Sequence, residues 1–267
     1  MIINRLKEGI GLRWRNKSSI RQECIIPFVE YQPYFYINVN EAQPTQLIIG
    51  DKWGRFPVEL TYELGDYVNL AGEQLTKVTW SPSNSNHTRN LKDCFIETYE
   101  ADVAFHYRFC VDELEVLPEY KLNKWYWDME WMQGGEYDGC ITCISVYDSY
   151  RDVCEVLWWS PNKIEVEGHN KHFNSERGML HYFLNMIEDD DPDMLISWFG
   201  WKFDLPKLIQ RLVVNDIDAR DLSPFQQLTG VSWSSKTSKV NLNDKVVSNY
   251  SPISQPIKGR ICVPLDL

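Results

Sequence analysis

A chain of 267 residues with 43% hydrophobic side chains can bury enough surface for two domains of ordinary size. Its formal net charge of −11 argues against a protein whose only task is to coat phosphates, because that affinity comes from Lys and Arg. No run of about 18 apolar residues occurs, so no membrane is expected as a partner, and seven cysteines without framework spacing, behind no apolar amino-terminal segment, suggest reduced thiols in a cytosolic compartment.

The first 22 residues hold Arg5, Lys7, Arg13, Arg15, Lys17 and Arg21 against Glu8 alone. This arm reads either as a nucleic-acid contact or as a solvated basic strand. Up to about Leu122 the pattern is of short β-prone runs, at Tyr34 to Val39, Leu47 to Ile49, Val58 to Tyr62 and Lys77 to Trp80, separated by Gly, Pro, Asn and Asp turns. Ser81 to Arg89 is a polar loop, and Asn90 to Tyr99 suggests a short helix running into a strand. Thr98 to Asp112 is expected to be the strand joining the two halves of the chain, with Arg108 pairing to one of its acids.

From Asn123 strands alternate with helices. Trp125 to Trp131, Cys140 to Tyr147 and Val153 to Trp159 read as three strands. Met179, Leu180, Phe183, Leu184 and Ile187 then fall on one helical face, with Asn174 or Ser175 as the cap and Glu188 to Asp191 as a solvated end. Met194 to Trp198 is a buried strand. Leu205, Leu208, Ile209 and Leu212 mark a second helix, with Pro206 tolerated in its first turn. Asn215 to Leu267 reads as a β-hairpin region returning to the sheet at Arg260 to Leu267. Cys140-x-x-Cys143 has no second pair at zinc-ribbon spacing and lies in a strand-like segment, so a zinc or redox role is not expected of it. His169 and His172 share that weakness.

Asp128 and Glu130 are two residues apart, so on a strand both carboxylates leave the same face. Asp204 opens the second helix, where it is either a cap or a third member of the cluster. Three carboxylates on one pocket repel one another unless hard divalent cations neutralise them, and two-metal sites of this kind cleave phosphodiesters. Just before Asp204, Phe199, Trp201 and Lys202 are candidates to line a groove where a frayed DNA end stacks.

These segments resemble family B DNA polymerases. Asp128-Met129-Glu130 is similar to the family's first exonuclease motif, and Pro192-Asp193 through Phe203-Asp204-Leu205-Pro206, with Leu208 and Arg211 behind it, to the second. Tyr34-Phe35-Tyr36-Ile37 and Thr98 to Val103, followed by Arg108-Phe109 and Asp112, resemble amino-terminal segments, and Ile257-Lys258-Gly259-Arg260 with Leu265-Asp266-Leu267 resembles the strand after the second motif. The resemblance implies an α/β (α+β) chain. A mainly β amino-terminal domain, 1–122, would precede a ribonuclease-H-like 3'-to-5' exonuclease domain, 123–267, truncated before its third motif. It implies Asp128, Glu130 and Asp204 as catalytic ligands of two Mg2+ (or Mn2+), and DNA with an unpaired primer 3' end as the substrate. Two departures stand out. Phe199 occupies the usual asparagine position, and no Tyr-x-x-x-Asp follows Asp204, since Asp244 and Asp266 have Val240 and Cys262 at the tyrosine place. Without a third motif, an Asp-Thr-Asp triplet or a Ser-Leu-Tyr-Pro run, a second polypeptide or downstream segment is expected to carry the third motif and the polymerase domain. The alternatives are a non-catalytic DNA-binding module of a polymerase and an unrelated nuclease acting on RNA.

Overall fold

The computed structural model describes residues 1–16, 18, 20–51, 54–116, 119–162, 170–234, 239–242 and 255–266, leaving His169 and Asp244 outside. Strands β1 (Ile2–Arg5), β2 (Gly9–Arg15) and β3 (Arg21–Pro27) form a three-stranded sheet in that order. The chain divides into two compact units, one of Arg5–Leu12 and Glu23–Pro118, the other of Met1–Asn4, Arg13–Gln22 and Glu119–Leu267.

In the first unit β4 (Tyr34–Asn38), β5 (Gln46–Asp51), β6 (Gly54–Val68) and β7 (Gln74–Ser81) pair antiparallel in the order β4-β7-β6-β5. Alternation places Phe35, Ile37, Val58, Leu60, Val78 and Trp80 on one face, where Leu91 of α1 (Thr88–Lys92) completes the core. The expected strand over Thr98 to Asp112 is instead mostly a helix, α2 (Phe105–Glu113). Only Tyr99 keeps strand pairing, in an isolated bridge to Tyr36. The reason is the spacing of Phe105 and Phe109, four apart, which one helical face presents together to the ring of Tyr31 at 5.3 and 5.1 Å. Arg108 pairs with Glu100 at 2.7 Å, as expected.

The second unit is built on a six-stranded sheet. Its strands are β8 (Lys124–Trp131), β9 (Ile141–Asp148), β10 (Val153–Trp159), β11 (Asn170–Phe173), β12 (Met194–Ser197) and β15 (Ile261–Pro264), in the order β11-β10-β9-β8-β12-β15. A separate hairpin is formed by β13 (Val231–Ser234) and β14 (Lys239–Leu242). Strands β8, β9 and β10 are antiparallel neighbours, while β12 runs parallel to β8 and β15 parallel to β12. That is the ribonuclease-H-like arrangement. Helix α3 (Glu176–Asp190) starts at Ser175, whose hydroxyl accepts from the Gly178 amide at 3.1 Å, a cap worth about 1 kcal/mol. Its Phe183 ring meets Trp125 and Trp127 at 6.3 and 6.0 Å. Helix α4 (Leu205–Val214) adds Leu205, Leu208, Ile209 and Leu212 to the same core. Arg211 ties α4 to α3 through Glu176, at 2.8 and 2.5 Å, and Glu176 also accepts from the Ile141 amide at 2.7 Å.

Two charge readings need correction. Asp191 is not a solvated helix end. It sits at the C-terminus of α3 in the left-handed region (φ 44°) and accepts from Arg13 at 2.7 Å, Arg21 at 2.5 Å and Arg260 at 2.9 Å. The basic arm accordingly spends Arg13 and Arg21 on this internal cluster, with Asp193, fully buried, taking a second contact from Arg21 at 2.7 Å. Gly259 lets the strands close on it: its carbonyl accepts from Arg13 at 2.8 Å, its φ is +87°, and a Cβ there would lie 2.4 Å from Pro224.

Candidate active site

Strand β8 alternates strictly. Trp125, Trp127 and Met129 enter the core, and Tyr126, Asp128 and Glu130 leave the opposite, exposed face. Across the ladder Asp128 faces Ser145 and Glu130 faces Cys143. Burial pushes the Cys143 thiol up, and the negative charges of Glu130 and Asp128 push it further, so both carboxylates act on one patch of sheet. Cys140 points elsewhere, with Arg211 donating to its sulfur at 3.2 Å. The two thiols of the Cys-x-x-Cys segment therefore serve different surroundings.

Asp204 arrives from the far end of β12 through a π-helical turn, Gly200–Asp204. Such a turn holds an extra residue and is common at functional sites. Gly200 makes it possible, because a Cβ there would lie 2.6 Å from the Ser197 hydroxyl. Asp204 already has helical dihedrals and its side chain makes no cap bond, which removes the capping role. Asp204 is only 4% exposed, and its Oδ2 has no hydrogen-bond partner among the described residues. Burial raises its pKa, as do the charges of Asp128 and Asp266, while hydrogen bonds from the Ser197 hydroxyl and the Phe199 backbone pull it down. A buried carboxylate oxygen without a donor is costly unless a proton or a cation compensates it. The donor set is thus of the hard-oxygen kind that Mg2+ or Mn2+ takes.

The three carboxylates are not preassembled as a cage. Asp128 and Glu130 share a face and the charge of Asp128 acts on Asp204, but among the described residues no group of three Asp, Glu, His or Cys side chains is gathered closely enough to hold one ion. Of the groove candidates, Trp201 is a core residue at 2% exposure, because the π turn rotates it inward against the helices. It presents no face to a strand. Phe199 is 50% exposed, edge to face with Trp198 at 6.5 Å, and Lys202 is exposed and held by Asp266 at 2.6 Å. Trp198, 60% exposed, and the pair Tyr126 and Tyr147 are surfaces that the sequence reading missed. Tyr126 was available to it, two residues before Asp128 on the same face. Tyr147 was not, since only the cross-strand register places it there.

Residues 150–261 match the family model described as DNA polymerase family B, exonuclease domain, a stretch that includes Asp204 and begins after Asp128 and Glu130. A DNA polymerase of Pyrococcus glycovorans is 31% identical over 121 residues, 43% of this chain and 15% of that protein. One of Thermococcus kodakarensis is 28% identical over 134 residues, 47% of this chain and 8% of that protein. The family B DNA polymerase structure of Pyrobaculum calidifontis matches 99% of this chain and 36% of its own, with a TM-score of 0.57 at 14% identity, which is a likeness of fold. The chain therefore corresponds to a small part of the relatives it matches. Fold and sequence together define the class, a mixed α/β chain of the kind found in the amino-terminal and exonuclease region of these polymerases. More particularly, residues 150–261 resemble the exonuclease domain of family B DNA polymerases.

Proposed function

We propose that this chain contributes 3'-to-5' proofreading to DNA replication, removing mispaired 3'-terminal nucleotides in concert with a polymerase portion outside it. The observation that carries this reading is the buried, donorless oxygen of Asp204 beside the charge of Asp128. Asp128, Glu130 and Asp204 would hold two Mg2+ or Mn2+ ions. When bound, these ions supply activation of the attacking water and neutralisation of the departing 3' oxygen. Asp204 fixes its carboxylate by burial, Asp128 and Glu130 bring theirs on a rigid strand, and Phe199 offers a face to an unpaired base. With no Tyr-x-x-x-Asp after Asp204, the group that orients the water is assigned to sequence beyond this chain, continuous with it or on a second polypeptide. The domain division at residue 122 belongs to the same proposal.

Asp128→Ala, measured in the assembled polymerase on a primer template, is expected to abolish 3'-to-5' degradation while synthesis continues. Undiminished degradation would remove Asp128 from the site. A non-catalytic DNA-binding module predicts, in contrast, strand binding by the chain that is indifferent to Mn2+ in wild type and variant alike.

A further inference from the structure

Beside Asp128 the exposed sheet face opens into a groove of about 220 Å3, bounded by Tyr126, Asp128, Ser145, Tyr147, Trp198 and Leu265. Its floor carries two tyrosines directly opposite each other in the β8–β9 register, with ring centroids 6.1 Å apart at 46°. They are 42% and 38% exposed, so each keeps a ring face free for contact. Tyr147 is fixed in place by its hydroxyl, which donates to Asp152 at 2.6 Å. Tyr126 and Asp128 stand two residues apart on one strand, roughly 6.6 Å along it. A base can therefore reach the Tyr126 ring while its own phosphate lies against the carboxylate.

Charge gives the platform its purpose. The chain is acidic overall, and Arg13, Arg21 and Arg260 are committed to Asp191 and Asp193. Among the described residues no Lys or Arg lines the groove beside Asp128, and ring stacking is a sequence-tolerant way to hold a strand end there.

We propose that Tyr126 and Tyr147 form a stacking platform for one of the two bases flanking the cleaved phosphodiester, so that the site takes unpaired, splayed-out DNA ends. The inference rests on the nuclease reading above and names how that site grips its substrate. A purely structural role for the pair is that of a cross-strand contact stabilising the sheet. The two roles differ in their dependence on the base.

The test is fluorescence anisotropy of a 5'-labelled single-stranded oligothymidylate against the whole chain in EDTA, with Mn2+ binding measured separately. The double variant Tyr126→Ala/Tyr147→Ala is expected to bind about tenfold more weakly, and Tyr126→Phe/Tyr147→Phe to bind as the wild type does. Tyr126→Leu/Tyr147→Leu, which keeps apolar cover on the sheet without a ring, gives the same reading should the alanine pair lower Tm. Moving an abasic site through the last three 3' positions should erase the difference between wild type and alanine variant at one of the final two. Binding should also fall only shallowly with salt, unlike a phosphate-driven contact. Equal affinity of wild type and alanine variant for the intact strand, or no binding by the wild type, overturns the platform. Strand binding that depends on the tyrosines in a chain that binds no Mn2+ supports the platform and removes the nuclease reading instead.

Discussion

Strand β12 is four residues long and has acidic residues beyond both ends. At its start lie Asp191 and Asp193, surrounded by Arg13, Arg21 and Arg260. Past its other end lies Asp204, with Asp128 and Asp266 adding like charge to its surroundings. Burial works to raise Asp191, but the charges of Arg260 and Arg13, followed by Arg21, hold it down to about 2. Burial raises Asp204 too, and its acidic neighbours reinforce the rise. The same side chain thus serves stability at one end, where every charge is answered. At the other it is kept electrostatically incomplete, which is what an ion-binding group requires. The incomplete site lies off the carboxyl end of a parallel strand, where open α/β sheets commonly place ligands.

The contrast is broken most forcefully at Asp191. Asp191→Asn tolerates the left-handed backbone but leaves Arg13 and Arg260 buried without a counter-charge, and is expected to cost about 3–5 kcal/mol in urea unfolding. A loss below 1 kcal/mol would show that water or other acceptors replace the carboxylate. A smaller effect follows from pH. Because the folded pKa of Asp191 is depressed from 3.8 to about 2, its contribution is complete above pH 4 and is lost as pH falls towards 2. The loss should amount to about 2 kcal/mol, and Asp191→Asn should flatten the curve over that window. The smallest stability change is expected at Asp204. Asp204→Asn has the same shape and relieves repulsion, so stability should stay within about 0.5 kcal/mol of wild type. Mn2+ binding by calorimetry and degradation by the assembled enzyme should both collapse. A variant that keeps both would place Asp204 outside the site.

Elements that announce themselves by periodicity were legible in the sequence. Strand β8 alternates throughout and β9 over its second half, and α3 and α4 bury residues three and four apart, so their positions follow from local pattern. The shared face of Asp128 and Glu130 followed for the same reason. What could not be read depends on groups remote in sequence. The inward turn of Arg13 and Arg21 needs Asp191, about 170 residues further on, and nothing local distinguishes it from a solvated arm. Trp201 was misread because nothing local tells an aromatic that lines a groove from one in the core, and the π turn places it in the core. Segment 98–112 was misread because its aromatic residues favour strands in isolation, and only packing against Tyr31 selects the helix.

The Asp191 cluster also sets a timetable for synthesis. Arg13 leaves the ribosome early, yet its acceptors are Asp191, 178 residues later, and the Gly259 carbonyl, 246 residues later. Until that last stretch has emerged, the amino-terminal strand carries cations with no resting place, and β12 lacks its neighbour β15. Closing so long a loop is slow. This unit is therefore completed only once segments far apart in sequence have both been made, and a nascent chain stalled before Gly259 would hold an open sheet edge for a chaperone to guard.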